Sequence, residues 1–527
     1  MVKHLNGMFA FALWDEKRRR LFIARDRFGE KPLYWGVFDR ALLFASEPKV
    51  LLAHPSVRPN LNLDALRQYL SFDYVPAPLS IYEGINKLPA AHTLTLEDGQ
   101  IKVEGYWRLS YETRQPVPSV PEAAEQLREL LANSVRMRLV SDVPLGVLLS
   151  GGIDSSMVTA FAVRASSETV KTFSISFAES SFDESQYARR VAQFLGTDHH
   201  EERFSASLAA NLVSDIGAWM DEPMSDPSLV PTYLLSRFTR KHVTVALGGD
   251  GGDEIFAGYP MYFGHRISRA YDRLPRFFKR AVVEPGVNLL PVKNKYLSFD
   301  YKARQFIAAS RYDEVARHHI WFGSFNPHDQ ELLLSDQVKQ SSDGDVYRDA
   351  RRMFAECDSK DLTECMQSLD AQLYLAEDIL TKVDRASMAV SLEVRAPYLD
   401  PRVAEFAASL PSRYKLHGFT SKYILKRAAK GLVPPFVWRR GKKGFGVPFA
   451  KWLNAELRPL ARDLLSPERL RRGGLFNPDY VARLQDEHER GVANHRKPLW
   501  TLLTFELWRE SFVETPRRIE TSVEAKG

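Results

Sequence analysis

The chain has 527 residues, 44 % of them hydrophobic, and its 72 basic and 66 acidic side chains leave a formal charge of +6. That length buries a large core and predicts two or three domains, while so mild an excess of base gives no support to a nucleic-acid coat. Cys357 and Cys365 stand without a partner at metal-ligand spacing, which excludes a disulfide framework and a zinc site.

No run of about 18 apolar residues predicts a membrane span, and the short apolar stretch Met8–Trp14 is followed, not preceded, by its basic cluster, unlike a secretory leader. The expectation is a soluble, cytoplasmic protein with no membrane and no nucleic-acid partner. Basic clusters at Lys17–Arg20, Arg439–Lys443 and Arg471-Arg472 read as solvated surface.

Residues 1 to 112 are predicted β-rich. Met8–Trp14, Leu21–Ala24, Leu33–Val37 and Leu42–Ala45 alternate with charged or Gly/Pro turns, and Asp98-Gly99 marks a hairpin. From about 120 to 260 helix and strand alternate. Helix 121–138 leads to strand 147–149, helix 157–165 to strand 171–177, helix 184–195 to strand 199–204, and helix 229–241 to strand 242–248. Repeating units of this length predict a parallel, doubly wound sheet. Residues from 261 read as mostly helical, and 516–527 as a tail, so 113–515 is predicted as one α/β domain with a helical C-terminal part.

Two glycine turns fall at the ends of predicted strands, where such sheets bind ligands. "LLSGGIDSS", residues 148 to 156, lacks the Lys of the common mononucleotide loop and the spacing of a dinucleotide loop. It offers unobstructed amides at Gly151 and Gly152 beside a helix N-terminus, with hydroxyls at Ser150, Ser155 and Ser156, an arrangement suited to an anion. Asp154 could hold a magnesium ion that bridges phosphates. The bland alternative is a capped helix start. "GGDGGDE", Gly248 to Glu254, does not fit the twelve-residue calcium pattern, and after a neighbouring strand it aims Asp250 and Asp253 at the same ligand.

"LSGGIDSS" resembles the pyrophosphate loop of the N-type ATP pyrophosphatases. With "FSISF", "DEPMSDPSLVPTYLLSR", "VALGGDGGDEIFAGY", "DILTKVDRASMAVSLEVRAPYLD", "SKYILKRA" and "RRGKKGFGVPF", residues 140 to 450 resemble the glutamine-dependent asparagine synthetase B family in the family's order. "LNGMFAFALWD" and "ARDRFGEKPLYWG" resemble the second half of that family's N-terminal-nucleophile glutaminase domain.

The resemblance implies ATP and Mg2+, and attack of the aspartate β-carboxylate on the α-phosphate, followed by ammonia. It implies that Ser150, Gly151, Gly152 and Ser155 cradle pyrophosphate and that Asp154 and Asp253 hold the metal. Leu149, Ile175, Gly248 and Gly249 would line the adenosine end. Lys422 matches the lysine that stabilises charge at the α-phosphate, where a helix lysine is otherwise surface. Asp250 stands where the family has an acid, often Glu, for handling ammonia, and Gly248 stands in place of a common Ser.

Asp384, Arg385, Glu393 and Arg395 read equally as a salt-bridged helix or as a wall of the acyl site. Lys442 and Lys443 read as phosphate-closing or as plain loop charges. The family's glutaminase uses an N-terminal cysteine, whereas here residue 2 is Val2 and no cysteine precedes Cys357. Glutaminase activity is therefore expected to be absent, through a truncated frame or a short form fed by ammonia. The half-domain is expected to leave bare strand edges and a chain less soluble than a full-length homologue.

Three alternatives remain beside an asparagine-forming ligase: amidation of another carboxylate by the same chemistry, a tRNA-modifying enzyme with the same loop, and a non-catalytic remnant. A homodimer is compatible with all of them.

Overall fold

The computed structural model describes residues 1–177, 183–292, 298–341, 344–441, 444, 446 and 449–514. The N-terminal part holds two antiparallel sheets. The first contains β1 (Ala10–Asp15), β2 (Arg20–Arg25), β6 (His92–Glu97) and β7 (Gln100–Gly105) in the order β1-β2-β6-β7. The second runs β4-β3-β5 from β3 (Tyr34–Phe38), β4 (Ala41–Ala45) and β5 (Asn86–Lys87). Ile23, Leu33, Leu88 and Leu94 are buried between them. β1 is an edge strand and leaves Leu13 and Trp14 about half exposed.

The larger part is built on a five-stranded parallel sheet. Its strands are β8 (Leu145–Leu148), β9 (Lys171–Phe177), β10 (Asp198–Phe204), β11 (Val245–Leu247) and β12 (Glu393–Arg395), in the order β10-β9-β8-β11-β12. The strand order therefore reverses between β8 and β11, and the carboxyl ends of those two strands flank the crevice where open parallel sheets bind ligands. Both glycine turns begin there.

Helix Val120–Arg138 starts on a full capping box. Ser119 Oγ accepts from Glu122 N (3.4 Å) while the Glu122 carboxylate accepts from Ser119 N (2.8 Å). Helix Ile153–Ala165 starts four residues before the sequence pattern suggests, so Asp154 and Ser155 lie in its first turn. Its small and apolar residues Ser156, Met157, Val158, Ala160 and Phe161 are all buried, so nearly its whole circumference is core and no amphipathic pattern marks its start. β12 lies in the stretch read as mostly helical, where no strand is predicted. Its three residues, Glu393, Val394 and Arg395, carry no alternation to reveal a strand.

The two parts are joined through buried charge. Lys87 on β5 pairs with Glu222 (2.5 Å) and Glu377 (3.2 Å), and Arg25 on β2 reaches Glu377 (3.3 Å). All four side chains are buried. Lys31 pairs with Asp384 (2.7 Å), and Arg385 with Asp221 (3.4 Å) and Glu47.

Candidate active site

β8 ends at Leu148, and the chain turns through Leu149, Ser150 and Gly151 into the helix that starts at Ile153. Gly151 sits at φ +72°, and a Cβ there would come within 2.6 Å of the Ala188 backbone nitrogen. Only glycine satisfies both constraints. Ser150 N donates to Ser155 Oγ (3.2 Å), and the two hydroxyls are 3.1 Å apart. Gly152, the helix N-cap, makes no side-chain cap, and the positive end of the helix dipole, which favours an anion, opens on this turn.

β11 delivers the second turn. Gly248 N donates to Arg395 O (2.8 Å), and Gly252–Ile255 forms one helical turn carrying Asp253 and Glu254. A Cβ at position 248 would meet Asp250 Oδ2 at 2.5 Å. The Asp at 250 and the Gly at 248 are thus a matched pair: the carboxylate occupies the space a serine side chain would fill.

Lys422 closes the site from a third segment. It is 3 % exposed, and its ammonium lies 2.6 and 2.7 Å from the two oxygens of Asp154 and 2.6 Å from Asp253 Oδ1. Two carboxylates from separate strands therefore converge on one point. Lys422 itself is in the left-handed region (φ +52°) at the N-cap of helix Tyr423–Ala429. A non-glycine residue there costs about 1–3 kcal/mol, held by what surrounds it. Gly258 packs against this pair so closely that a Cβ would run into both Asp253 Oδ1 and Lys422 Cε.

Hard carboxylate oxygens brought to one point suit magnesium. No cluster of three metal-ligating side chains occurs among the described residues, so the remaining ligands would have to be phosphate and water oxygens. The residues thus fit a nucleotide-bound ion and not a free one.

A cavity of about 500 Å3 opens over these elements. Leu149, Ser150, Asp154, Ser155, Ile175, Gly248, Gly249, Asp250 and Asp253 line it, and Gly151, Gly152 and Lys422 are not among its lining residues. Lys442 and Lys443 lie outside the described residues, as does the predicted tail. Asp384 and Arg385 turn toward the N-terminal part, and Glu393 pairs with Arg395 (2.6 Å). None of these four lines the cavity.

Arg440, grouped with the surface cluster on composition, belongs to the site. It pairs with Glu184, stacks 4.2 Å over Tyr187 and approaches Gly151 O (3.5 Å), bracing the first turn. The one sequence signal for it is its place next to Gly441 in a stretch the family resemblance covers.

Glu254 is also missed by sequence reasoning. It is 2 % exposed and accepts from Tyr259 Oη (2.6 Å), and burial, then Asp253, push its carboxyl up to about 7. The ordinary value of 4.5 applies to the unfolded chain. Its folded value being raised, its contribution to stability is full below pH 4.5 and is lost as pH rises through 7. Glu254→Gln is therefore expected to flatten the fall of the thermal midpoint between pH 5 and pH 8. Parallel slopes for variant and parent across that window would refute the assignment.

The family model for asparagine synthase matches residues 126–510, and that for a glutamine amidotransferase domain matches 1–107. The chain is 32 % identical to asparagine synthetase [glutamine-hydrolyzing] 1 of Bacillus subtilis, over 97 % of this chain and 78 % of that protein. It is 34 % identical to a putative asparagine synthetase [glutamine-hydrolyzing] of Mycobacterium bovis, over 98 % and 78 %. It is 27 % identical to amidase chry2 of Gibberella zeae, over 88 % and 73 %. With the nucleotide-type crevice, the paired glycine turns and these matches in hand, the chain belongs to the asparagine synthase family of ATP-dependent enzymes.

Proposed function

We propose that this chain makes asparagine from aspartate, ATP and ammonia by way of β-aspartyl-AMP. The observation that carries the reading is the meeting of Asp154, Asp253 and Lys422 at the switch point of the sheet. The amides of Gly151 and Gly152 and the hydroxyls of Ser150 and Ser155 hold the departing pyrophosphate, with the helix dipole favouring its charge. Asp154 and Asp253 would hold magnesium, which supplies charge neutralisation on the phosphate oxygens. Lys422, released from one carboxylate as nucleotide enters, faces the charge that builds at the α-phosphate. Leu149 and Ile175 give the adenosine an apolar seat, with Gly248 and Gly249 leaving room for it. Asp250, which lines the cavity, takes the proton that ammonia sheds when it attacks the adenylate.

The bonds balance simply. The β-carboxylate oxygen bonds to the α-phosphorus as the bond to the bridging β-phosphate oxygen breaks, and nitrogen then displaces AMP.

The test is an assay of the purified protein with MgATP, aspartate and either ammonium or glutamine, quantifying asparagine, AMP and pyrophosphate. Asparagine and AMP in equal amounts with ammonium alone are expected. ADP in place of AMP would sink the adenylate, and product from glutamine would sink the proposed nitrogen source.

A further inference from the structure

Cys357 and Cys365, which no spacing argument pairs, meet in the fold. Cys357 is half-buried in the loop that follows helix Arg348–Ala355, and Cys365 is buried in the first turn of helix Leu362–Gln372. The two thiols are hydrogen-bonded to one another. Cys365 Sγ also lies 3.2 Å from Ser359 O, and Cys357 accepts further hydrogen bonds from Ser359 N and the Ser368 hydroxyl.

The loop between them is held at both ends. Asp358 accepts from Ser110 Oγ (2.6 Å) and Tyr111 N (2.9 Å), in the segment that leads out of the N-terminal sheets, and Arg108 donates to Glu356 O. Asp361 caps the following helix through Thr363 N (2.9 Å) and Glu364 N (3.3 Å). The sulfurs are therefore held together in the resting chain, which removes most of the entropic cost of joining them.

The two thiols are unequal. The bond from Cys365, with those from Ser359 and Ser368, pulls Cys357 down to about 6 against the effect of burial, so it is largely thiolate at neutral pH. The same bond and burial keep Cys365 protonated. Lys415, wholly buried 5.1 Å over the Tyr111 ring, lies within electrostatic reach of Glu364, Asp361 and Cys357. Cysteines kept only for packing would both be closed off from solvent. A partly accessible thiolate beside a buried thiol is the arrangement in which the first sulfur is oxidised and the second resolves it.

We propose that Cys357 and Cys365 form a site of reversible oxidation by hydrogen peroxide, with Cys357 attacking and Cys365 resolving. The Cys357 thiolate sulfur bonds to one peroxide oxygen as the O–O bond breaks, and the hydroxide released takes up a proton and leaves as water. The Cys365 sulfur then bonds to the Cys357 sulfur as the S–O bond breaks, and its proton leaves with that hydroxide as a second water. Two electrons pass from the sulfurs to the peroxide, and a dithiol returns them. No step uses the nucleotide crevice, so the site stands or falls apart from the adenylation reading.

In the experiment the full chain, first reduced, is exposed to a small molar excess of hydrogen peroxide at neutral pH, alkylated with iodoacetamide and digested with trypsin. Cleavage after Lys360 separates the two cysteines, so mass spectrometry reads the disulfide as peptide 353–360 linked to peptide 361–382. That linked pair is expected from the parent and is expected to vanish with dithiothreitol. Iodoacetamide added before peroxide should label Cys357 at least about 10-fold faster than Cys365. Cys365→Ser is expected to drive Cys357 to sulfinic and sulfonic acids that dithiothreitol does not reverse, and Cys357→Ser to leave Cys365 unoxidised. Thermal melts check that both variants fold.

A folded parent that yields no linked peptide, or only irreversible acids, would overturn the proposal. So would two copies of peptide 353–360 joined to each other, since the pairing would then lie between chains. Faster labelling of Cys365 would overturn the assigned roles. The parent alone decides the linkage, so a variant that fails to fold leaves the test intact.

Discussion

Lys422→Met is expected to lower AMP formation by roughly 1,000-fold, the scale seen when one preorganised electrostatic group is taken from a transition state. The reason lies in the site's charge. Asp154 and Asp253 share a single cation at 2.6–2.7 Å. Without it they face one another half-buried, and magnesium must answer both while also carrying the phosphates. Lys422→Arg is expected to fail nearly as badly. The Lys422 stem touches the space beside Gly258, where not even a methyl group fits, so a planar guanidinium has no room. Single-turnover AMP release at saturating MgATP measures the effect. A loss under tenfold in folded Lys422→Met would remove the lysine from the transition state.

The second large effect is on stability. Lys87→Met leaves Glu222 and Glu377 buried without their shared cation, and a broken buried pair of this kind costs about 3–5 kcal/mol. Arg25 still reaches Glu377, so Glu222 carries most of the loss. Guanidinium unfolding is expected to show the lower midpoint. The double variant with Glu222→Met should recover part of the deficit, since the two side chains interact directly. Additive losses in the pair would mean that the contact contributes nothing.

Local pattern made much of the fold legible. The alternation of helix and strand from Val120 onward predicts the parallel sheet, and Asp98-Gly99 predicts the hairpin that joins β6 to β7. What local pattern cannot carry is sheet order. Nothing in "VALGG" states that β11 lies beside β8, yet that adjacency brings Asp253 to Asp154. The start of the Ile153 helix was hidden by its own burial, and β12 by its brevity.

The same contrast holds at the site. Asp154, Asp253 and Lys422 were legible because glycine turns and a family motif frame them. Glu254 and Arg440 were not, because their environment is made by the folded chain: burial and Tyr259 for the first, Glu184 and Tyr187 for the second. A carboxylate's protonation is a property of its neighbours, and sequence lists the neighbours in the wrong order.

The joint between the two parts also sets an order of events at the ribosome. Lys87 is synthesised roughly 300 residues before Glu377, its second carboxylate partner, and well before Glu222. At elongation rates of about 5–20 residues per second, that gap lasts roughly 15–60 seconds. For about the first half of it, until Glu222 emerges, the ammonium has no carboxylate partner to bury against and must stay in water. The β-sheets of residues 1–105 therefore emerge with a wet, cationic floor, which is dried in two steps, first by the Glu222 segment and then by the Glu377 segment that also answers Arg25.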